Sequence, residues 1–334
     1  MSRPRALVSA ARGIGDILRI TPLVRVCAQL GFDVDVLIAS DYPAVGRLLE
    51  SDADIRRLFH VASAWHAGGI PIVAGIAGER YDIATFTYWS QVFRPQVRAT
   101  RMLAFPQAEW LRNGDTACVR ALARQLGWAG PLPAPFAHPS HRIFDVAPGT
   151  IALHPGCKPD WPWKKWHGFD ALAAALPHVA IVGGDSDRDN TGTYFGCPFA
   201  WPPHARDFTG ALDLADTAAL ISQCAALVAN DSGLMHLGVA LGVPTFGIFG
   251  ITSPAREAMD APNMAVVTKG LPCERRCRAG AWGRRDCEHH LLCLRSLTAA
   301  DVLERLQAGL TDHGPRQAEI GMRNVCAGAD PWTN

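Results

Sequence analysis

Two stretches of the chain bring together side chains suited to phosphate chemistry. The first is DSGLMH at 231–236. An apolar run, ALVA at 226–229, precedes it and predicts a strand, so Asp231 stands at a strand end while Ser232, Gly233 and Leu234 open the next helix. The first amides of a helix have no internal acceptor and carry the positive end of its dipole, which is a ready phosphate site. Gly233 lets the backbone approach closely, and His236, in the first turn, could donate a hydrogen bond to a phosphate oxygen. The same spacing also fits a helix that Asp231 and Ser232 merely cap, with His236 an ordinary satisfied side chain. The second stretch is HPGCKPDWPWKKW at 154–166, which holds three of the four lysines, Lys158, Lys164 and Lys165. Lys is a compact charge suited to a phosphate, but a solvated basic loop resting on Trp161, Trp163 and Trp166 has the same composition.

Near the start, ARGIGD at 11–16 matches a dinucleotide fingerprint only in part, because Leu18 stands where a third glycine is required. A carboxylate at Asp16 would repel a pyrophosphate on that helix end, so Asp16 reads either as a base facing a cleft or as an acid stabilising its own helix. Late in the chain, Cys273, Cys277, Cys287 and Cys293 fall within 21 residues of a basic loop. In a reducing compartment four such thiols suggest a structural thiolate metal site such as zinc, with His289 and His290 able to replace a ligand; reduced, unliganded thiols or a disulfide formed on purification are the alternative.

The elements that must position these residues alternate in type. Strands are predicted at 5–10, 33–39, near 58–61 and at 82–87, with helices at about 16–30, 43–50 and 115–127. A Pro- and Gly-rich segment, 129–149, then reads as a linker. The alternation restarts with strands at 151–154, 178–184, 226–231 and 244–250 and helices at 168–176, 214–224, 233–241 and 298–310. Two βα series predict two doubly wound α/β domains, residues 1–145 and 150–310, with a loose tail over 311–334. Ligands of such sheets bind outside the carboxyl ends of the strands, so two facing domains enclose a cleft.

Composition sets outer bounds. The chain has 334 residues, 49% hydrophobic and 19% charged, which excludes disorder along its whole length. The net charge of +1 argues against broad binding to nucleic acid, and the split between halves, +4 over 1–148 and −3 thereafter, is a weak pointer to an anionic partner of the first half. No run of ~18 apolar residues predicts a membrane span, and the start of the chain lacks the apolar core of a secretory signal, so a cytoplasmic location is expected.

Taken together, GDILRITPLVRV near the start, WPWKKW, VGGDSD at 182–187 and DSGLMH followed by LGVALGVPTFGIFGITSP resemble glycosyltransferase family 9, the heptosyltransferase family of lipopolysaccharide assembly. The likeness covers roughly residues 5–310 and is strongest over 151–250. It implies a GT-B fold, two Rossmann-like doubly wound domains facing a central cleft, and inverting transfer from a nucleotide-diphosphate sugar, ADP-heptose in the best-known members. Asp16 occupies the position of the family's catalytic base. Lys164, His236 and the amides of Ser232, Gly233 and Leu234 occupy positions that meet the leaving diphosphate, and Asp231 would orient the phosphate loop or the nucleotide. No catalytic metal is expected. The acceptor would be a lipopolysaccharide-type or other surface glycan. A lipid-linked acceptor would bring peripheral contact with the inner membrane, and oligomers are compatible with the family. The cysteine cluster raises a protein-modifying alternative, since autotransporter heptosyltransferases of the family hold iron through cysteines. Outside that activity stand a sugar-nucleotide epimerase or hydrolase and a non-catalytic nucleotide-sugar-binding protein. Trp65, His66, Tyr88 and Trp89 are candidates for the acceptor side, while His138, His141 and Arg275, Arg276, Arg284 and Arg285 carry no assigned role.

Overall fold

The structure is a computed structural model that describes residues 3–40, 42–62, 69–159, 161–188, 199–273 and 287–312. Its first sheet contains β1 (Arg5–Arg12), β2 (Asp33–Ser40), β3 (Ile55–Ala62), β4 (Tyr81–Phe86) and β5 (Ala99–Ala104) in the order β3-β2-β1-β4-β5, every pair parallel. The second contains β6 (Ile151–His154), β7 (Val179–Ile181), β8 (Ala205–Asp207), β9 (Ala226–Asn230), β10 (Thr245–Ile248) and β11 (Met264–Val267) in the order β11-β10-β9-β6-β7-β8, again all parallel. Central strands such as β1, β6 and β9 are buried almost throughout. Helices cover both faces of such sheets, so these strands read as continuous apolar runs rather than alternating ones. In each sheet the strand order reverses beside its first strand, at β1/β4 and β6/β9. This reversal opens a crevice at the carboxyl ends of those strands. The two crevices share one cleft, which is the GT-B arrangement that the sequence implies.

The helices are α1 (Ile14–Leu18), α2 (Thr21–Gln29), α3 (Gln107–Gln125), α4 (Phe169–Ala175), α5 (Asp185–Arg188), α6 (Leu214–Ser222), α7 (Gly233–Ala240), α8 (Pro254–Glu257), α9 (Leu292–Arg295) and α10 (Ala299–Asp312). Several differ from expectation. The helix expected over 16–30 is two helices, because Pro22 lacks an amide to continue the ladder and the Thr21 hydroxyl donates to the Leu18 carbonyl at 2.8 Å. The segment expected to be helical over 43–50 is a 3₁₀ helix, Pro43–Leu48. The helix expected from 115 starts at Gln107 and kinks at Gly114, whose φ of 73° and ψ of −172° are not helical. β5, β8 and β11 were not expected; all three are sheet edges, and β5 (ATRMLA) and β8 (ARD) also carry charged residues that break any apolar run.

The Pro-rich segment is tied to both halves. The Phe136 amide donates to Thr21 Oγ1 at 3.0 Å in the first half, and the Ser140 hydroxyl to Asp216 at 2.7 Å in the second. The halves also share apolar interior. A single buried cluster runs from Val8 and Ile17 in the first to Leu227, Leu234 and Leu237 in the second. α1 crosses α7 within it at close range. A Cβ on Gly15 would come within 3.0 Å of His236 Nε2 and closer still to its Cδ2, so only glycine lets the two helices meet at this distance. No helix among the described residues is long and apolar enough to cross a membrane.

Candidate functional site

The carboxyl ends of β1, β6 and β9 open onto a cleft of about 1100 Å³. On the first half, β1 turns into α1 through Arg12, a non-glycine residue at φ 101°. Ser40 Oγ donates to the Arg12 carbonyl at 2.9 Å, and the Arg12 guanidinium lies 4.2 Å from the centre of the Trp89 ring. Backbone held in that region costs about 1–3 kcal/mol and persists where surroundings fix it. Asp16 follows in the first turn of α1 and lines the cleft, its side chain 29% exposed. Its Oδ2 accepts from the Gly13 amide at 2.9 Å and its Oδ1 lies 3.8 Å from Arg19. Asp16 therefore caps its own helix and also faces the cleft.

On the second half, β9 ends at Asn230 and α7 begins at Gly233, with the Ser232 hydroxyl accepting from the Met235 amide at 3.4 Å. That cap leaves the amides of Gly233 and Leu234 without helical acceptors at the cleft wall. Asn230 ties the Trp-rich loop to this strand: its amide donates to the Pro155 carbonyl at 2.7 Å and its oxygen accepts from Trp166 N at 3.0 Å. The loop thereby carries Lys164 to 2.7 Å from Asp231 Oδ2 and about 5.3 Å from the Trp161 ring centre. Burial disfavours both charges, but the pairing outweighs it, so the Lys164 pKa is raised and that of Asp231 lowered.

Between the halves lies Arg19, only 6% exposed and unremarked in the sequence reading. Its NH1 donates to Asp115 at 2.8 Å; its NH2 reaches Glu257 at 3.0 Å and His236 Nε2 at 2.8 Å. Burial lowers the pKa of His236 well below its ordinary value, and Arg19 adds to the effect. The pKa of Asp115 is raised, because burial outweighs the attraction of Arg19. Asp115 follows the kink at Gly114, where a Cβ would lie 2.9 Å from Arg256 Cα and closer to its carbonyl oxygen. A signal for Arg19 existed: it lies three residues after Asp16 on the same helical turn.

The structure thus gathers Asp16, Lys164, Asp231, Ser232, Gly233, Leu234 and His236 around one cleft. Trp89 lines it too, while Tyr88 stands behind, stacked on Trp110 with ring centres 4.6 Å apart. Trp65 and His66 lie outside the described residues, as do Cys277 and the four loop arginines. The metal expectation finds no support. Among the described residues no three or more Cys, His, Asp or Glu side chains converge, and Cys273, Cys287 and Cys293 do not form such a group. Cys293 is instead buried in the apolar core beside Leu294 and Leu297.

The arrangement is shared with known proteins. A solved glycosyltransferase of family 9 from Veillonella parvula is 17% identical, with a TM-score of 0.67 over 92% of this chain and 97% of that one. The Escherichia coli ADP-heptose lipopolysaccharide heptosyltransferase II is 18% identical, with a TM-score of 0.62 over 92% of this chain and 99% of that one. At such identities the likeness is one of fold. In sequence, lipooligosaccharide heptosyltransferase 2 of Haemophilus influenzae is 41% identical over 59 residues, which span 16% of this chain and 17% of that protein. The profile of glycosyltransferase family 9 (heptosyltransferase) extends much further, over residues 60–281 and with them the Trp-rich loop and the helix end at Ser232, and the chain belongs to this family.

Proposed function

We propose that the protein is an inverting glycosyltransferase that moves a heptose from ADP-heptose to a lipopolysaccharide-type or other surface-glycan acceptor. One observation carries this reading: a carboxylate on the first half, Asp16, and an amide-rich helix end on the second, at Ser232–Leu234, line one cleft. The acceptor hydroxyl attacks the anomeric carbon from the face opposite the diphosphate. A C–O bond forms to the acceptor as the bond to the phosphate oxygen breaks with its electron pair, and Asp16 takes the hydroxyl proton. Negative charge grows on the leaving ADP. The amides of Gly233 and Leu234, the Nδ1–H of His236 and the ammonium of Lys164 are the preorganised donors that meet it. Asp231 holds Lys164 at that edge. These donors are sufficient in kind without a divalent cation. The first half, residues 1–145, is the acceptor side and residues 150–310 the donor side. The protein-modifying alternative rested on the cysteine cluster, and nothing in the described residues favours it.

The test is ADP release from ADP-heptose with and without a heptose-acceptor lipid A–core glycan. Release that needs acceptor, and that Asp16→Asn abolishes while ADP still binds, is the expected result. Acceptor-independent release would mark a hydrolase, and full turnover by Asp16→Asn would refute the base assignment.

A further inference from the structure

We propose that Arg19 is a positioning residue that fixes the tautomer of His236, keeping its proton on Nδ1 as a donor for the leaving diphosphate. The role rests on the reading of the α7 amino end as the diphosphate site. A guanidinium nitrogen can only donate, so the 2.8 Å contact from Arg19 NH2 requires a lone pair on His236 Nε2. An imidazolium would set two donors against each other there. The ring is therefore neutral, and its proton sits on Nδ1. That atom is buried and has no hydrogen-bond partner, although the residue lines the cleft and is only 2% exposed. A buried donor left unpaired is uncommon and points to an acceptor that arrives from outside. A Cβ on Gly15 would meet the ring at Cδ2 and Nε2, so α1 packs along that edge while Nδ1 lies on the other.

Arg19 is itself held from several elements. Asp115 of α3 and Glu257 of α8 lie at 2.8 and 3.0 Å, and Asp16 of α1 at 3.8 Å. The other charges that act on His236 are Asp231 and Lys164, which oppose one another. Arg19 thus links the candidate base on one half to the candidate phosphate donor on the other.

The test reads the ring directly. The full-length protein is labelled with ¹⁵N in its histidine rings, and the His236 signals are identified by their loss in His236→Asn. In the wild type we expect a neutral Nδ1–H tautomer that does not titrate between pH 5.5 and 8.5, with an Nδ1–H signal that shifts on adding ADP. Arg19→Met strands the buried Asp115 carboxylate and is made together with Asp115→Asn, with Asp115→Asn alone as control. The double variant should show a ring that titrates or populates Nε2–H, and its ADP dissociation constant should rise about tenfold or more. Arg19→Lys, which keeps a donor, should retain the Nδ1–H tautomer. A wild-type ring that carries its proton on Nε2, or a double variant whose tautomer is unchanged, overturns the proposal. Should the tautomer depend on Arg19 while ADP leaves the Nδ1–H signal untouched, the Arg19 assignment stands and the diphosphate site does not.

Discussion

Gly15→Ala tests the seam between the halves with a single methyl group. On its own helix the change is favourable, since alanine exceeds glycine in helix propensity by about 1 kcal/mol. Across the seam it is not. The new Cβ would stand 3.0 Å from His236 Nε2 and 3.1 Å from Cγ, with Cδ2 nearer than either. Carbon pairs attract at roughly 3.5–4.0 Å, so α1 and α7 must part by roughly 1 Å, or the imidazole must swing out of the line of Arg19. Overpacking of this kind costs about 1–3 kcal/mol, leaving a net loss of stability of about 0–2 kcal/mol after the propensity gain. Function should suffer far more. Asp16 is the next residue on α1, and a displacement of about 1 Å between reacting groups can cost a factor of about 100. We therefore expect kcat for acceptor-dependent ADP release to fall about 100-fold while the melting temperature drops by only a few degrees. ADP should bind nearly as before if the helices part, and more weakly if the imidazole leaves Arg19, since His236 is a proposed donor to the diphosphate. Initial rates at saturating donor, calorimetric ADP affinity and a thermal melt separate these effects. A Gly15→Ala enzyme with wild-type kcat would show that the approach of α1 to α7 does not set the geometry of the reaction.

Other perturbations follow from the same structure. Gly114→Ala forces a side chain into φ 73° and against the backbone of Arg256, and should cost about 2–5 kcal/mol in urea denaturation; a loss under 1 kcal/mol would contradict the kink. Lys164→Ala strands the Asp231 carboxylate, only 4% exposed, and should cost about 3 kcal/mol, much of it regained in Lys164→Ala/Asp231→Asn; additive losses in that cycle would deny the pairing. Burial pushes the Cys27, Cys157 and Cys224 thiols up to about 12. Above about pH 8.5 the unfolded chain loses these protons and the native state does not. Stability is therefore full below that pH and falls as pH rises toward 12, by up to about 1.4 kcal/mol per pH unit per thiol. Cys27→Ala/Cys224→Ala should flatten the decline between pH 9 and 10.5 relative to wild type, and an unchanged slope would show that these thiols ionise freely in the native protein.

Much of the architecture was legible in the sequence because a parallel sheet buried on both faces writes itself as apolar runs. RALVSA, ALVAND and PTFGIFG announce β1, β9 and β10 without help from any partner. The edge strand β5 was silent, since ATRMLA keeps two of its side chains in solvent and shows no run. At the site, residues whose placement follows from a strand end or a helix start could be read locally, as with Asp16 and Ser232. Arg19 had only its spacing from Asp16 to mark it, and its partners Asp115 and Glu257 had no local mark. They lie 96 and 238 residues apart in the pairings that Arg19 makes, and only the fold brings them together. The expected metal site has no counterpart among the described residues, which do not include Cys277. Close spacing of cysteines suggested convergence, yet Cys293 spends its side chain in the core beside Leu294.

The apolar interior common to the two halves limits how the enzyme could be recombined. A chimera that took its amino-terminal half from a relative with another acceptor would have to inherit a glycine at position 15 together with a histidine at 236, or exchange both helices as a matched set. Cutting between the sheets would leave each fragment with Ile17 or Leu234 bare to water, so a whole-domain graft would have to rebuild that shared interior on both sides.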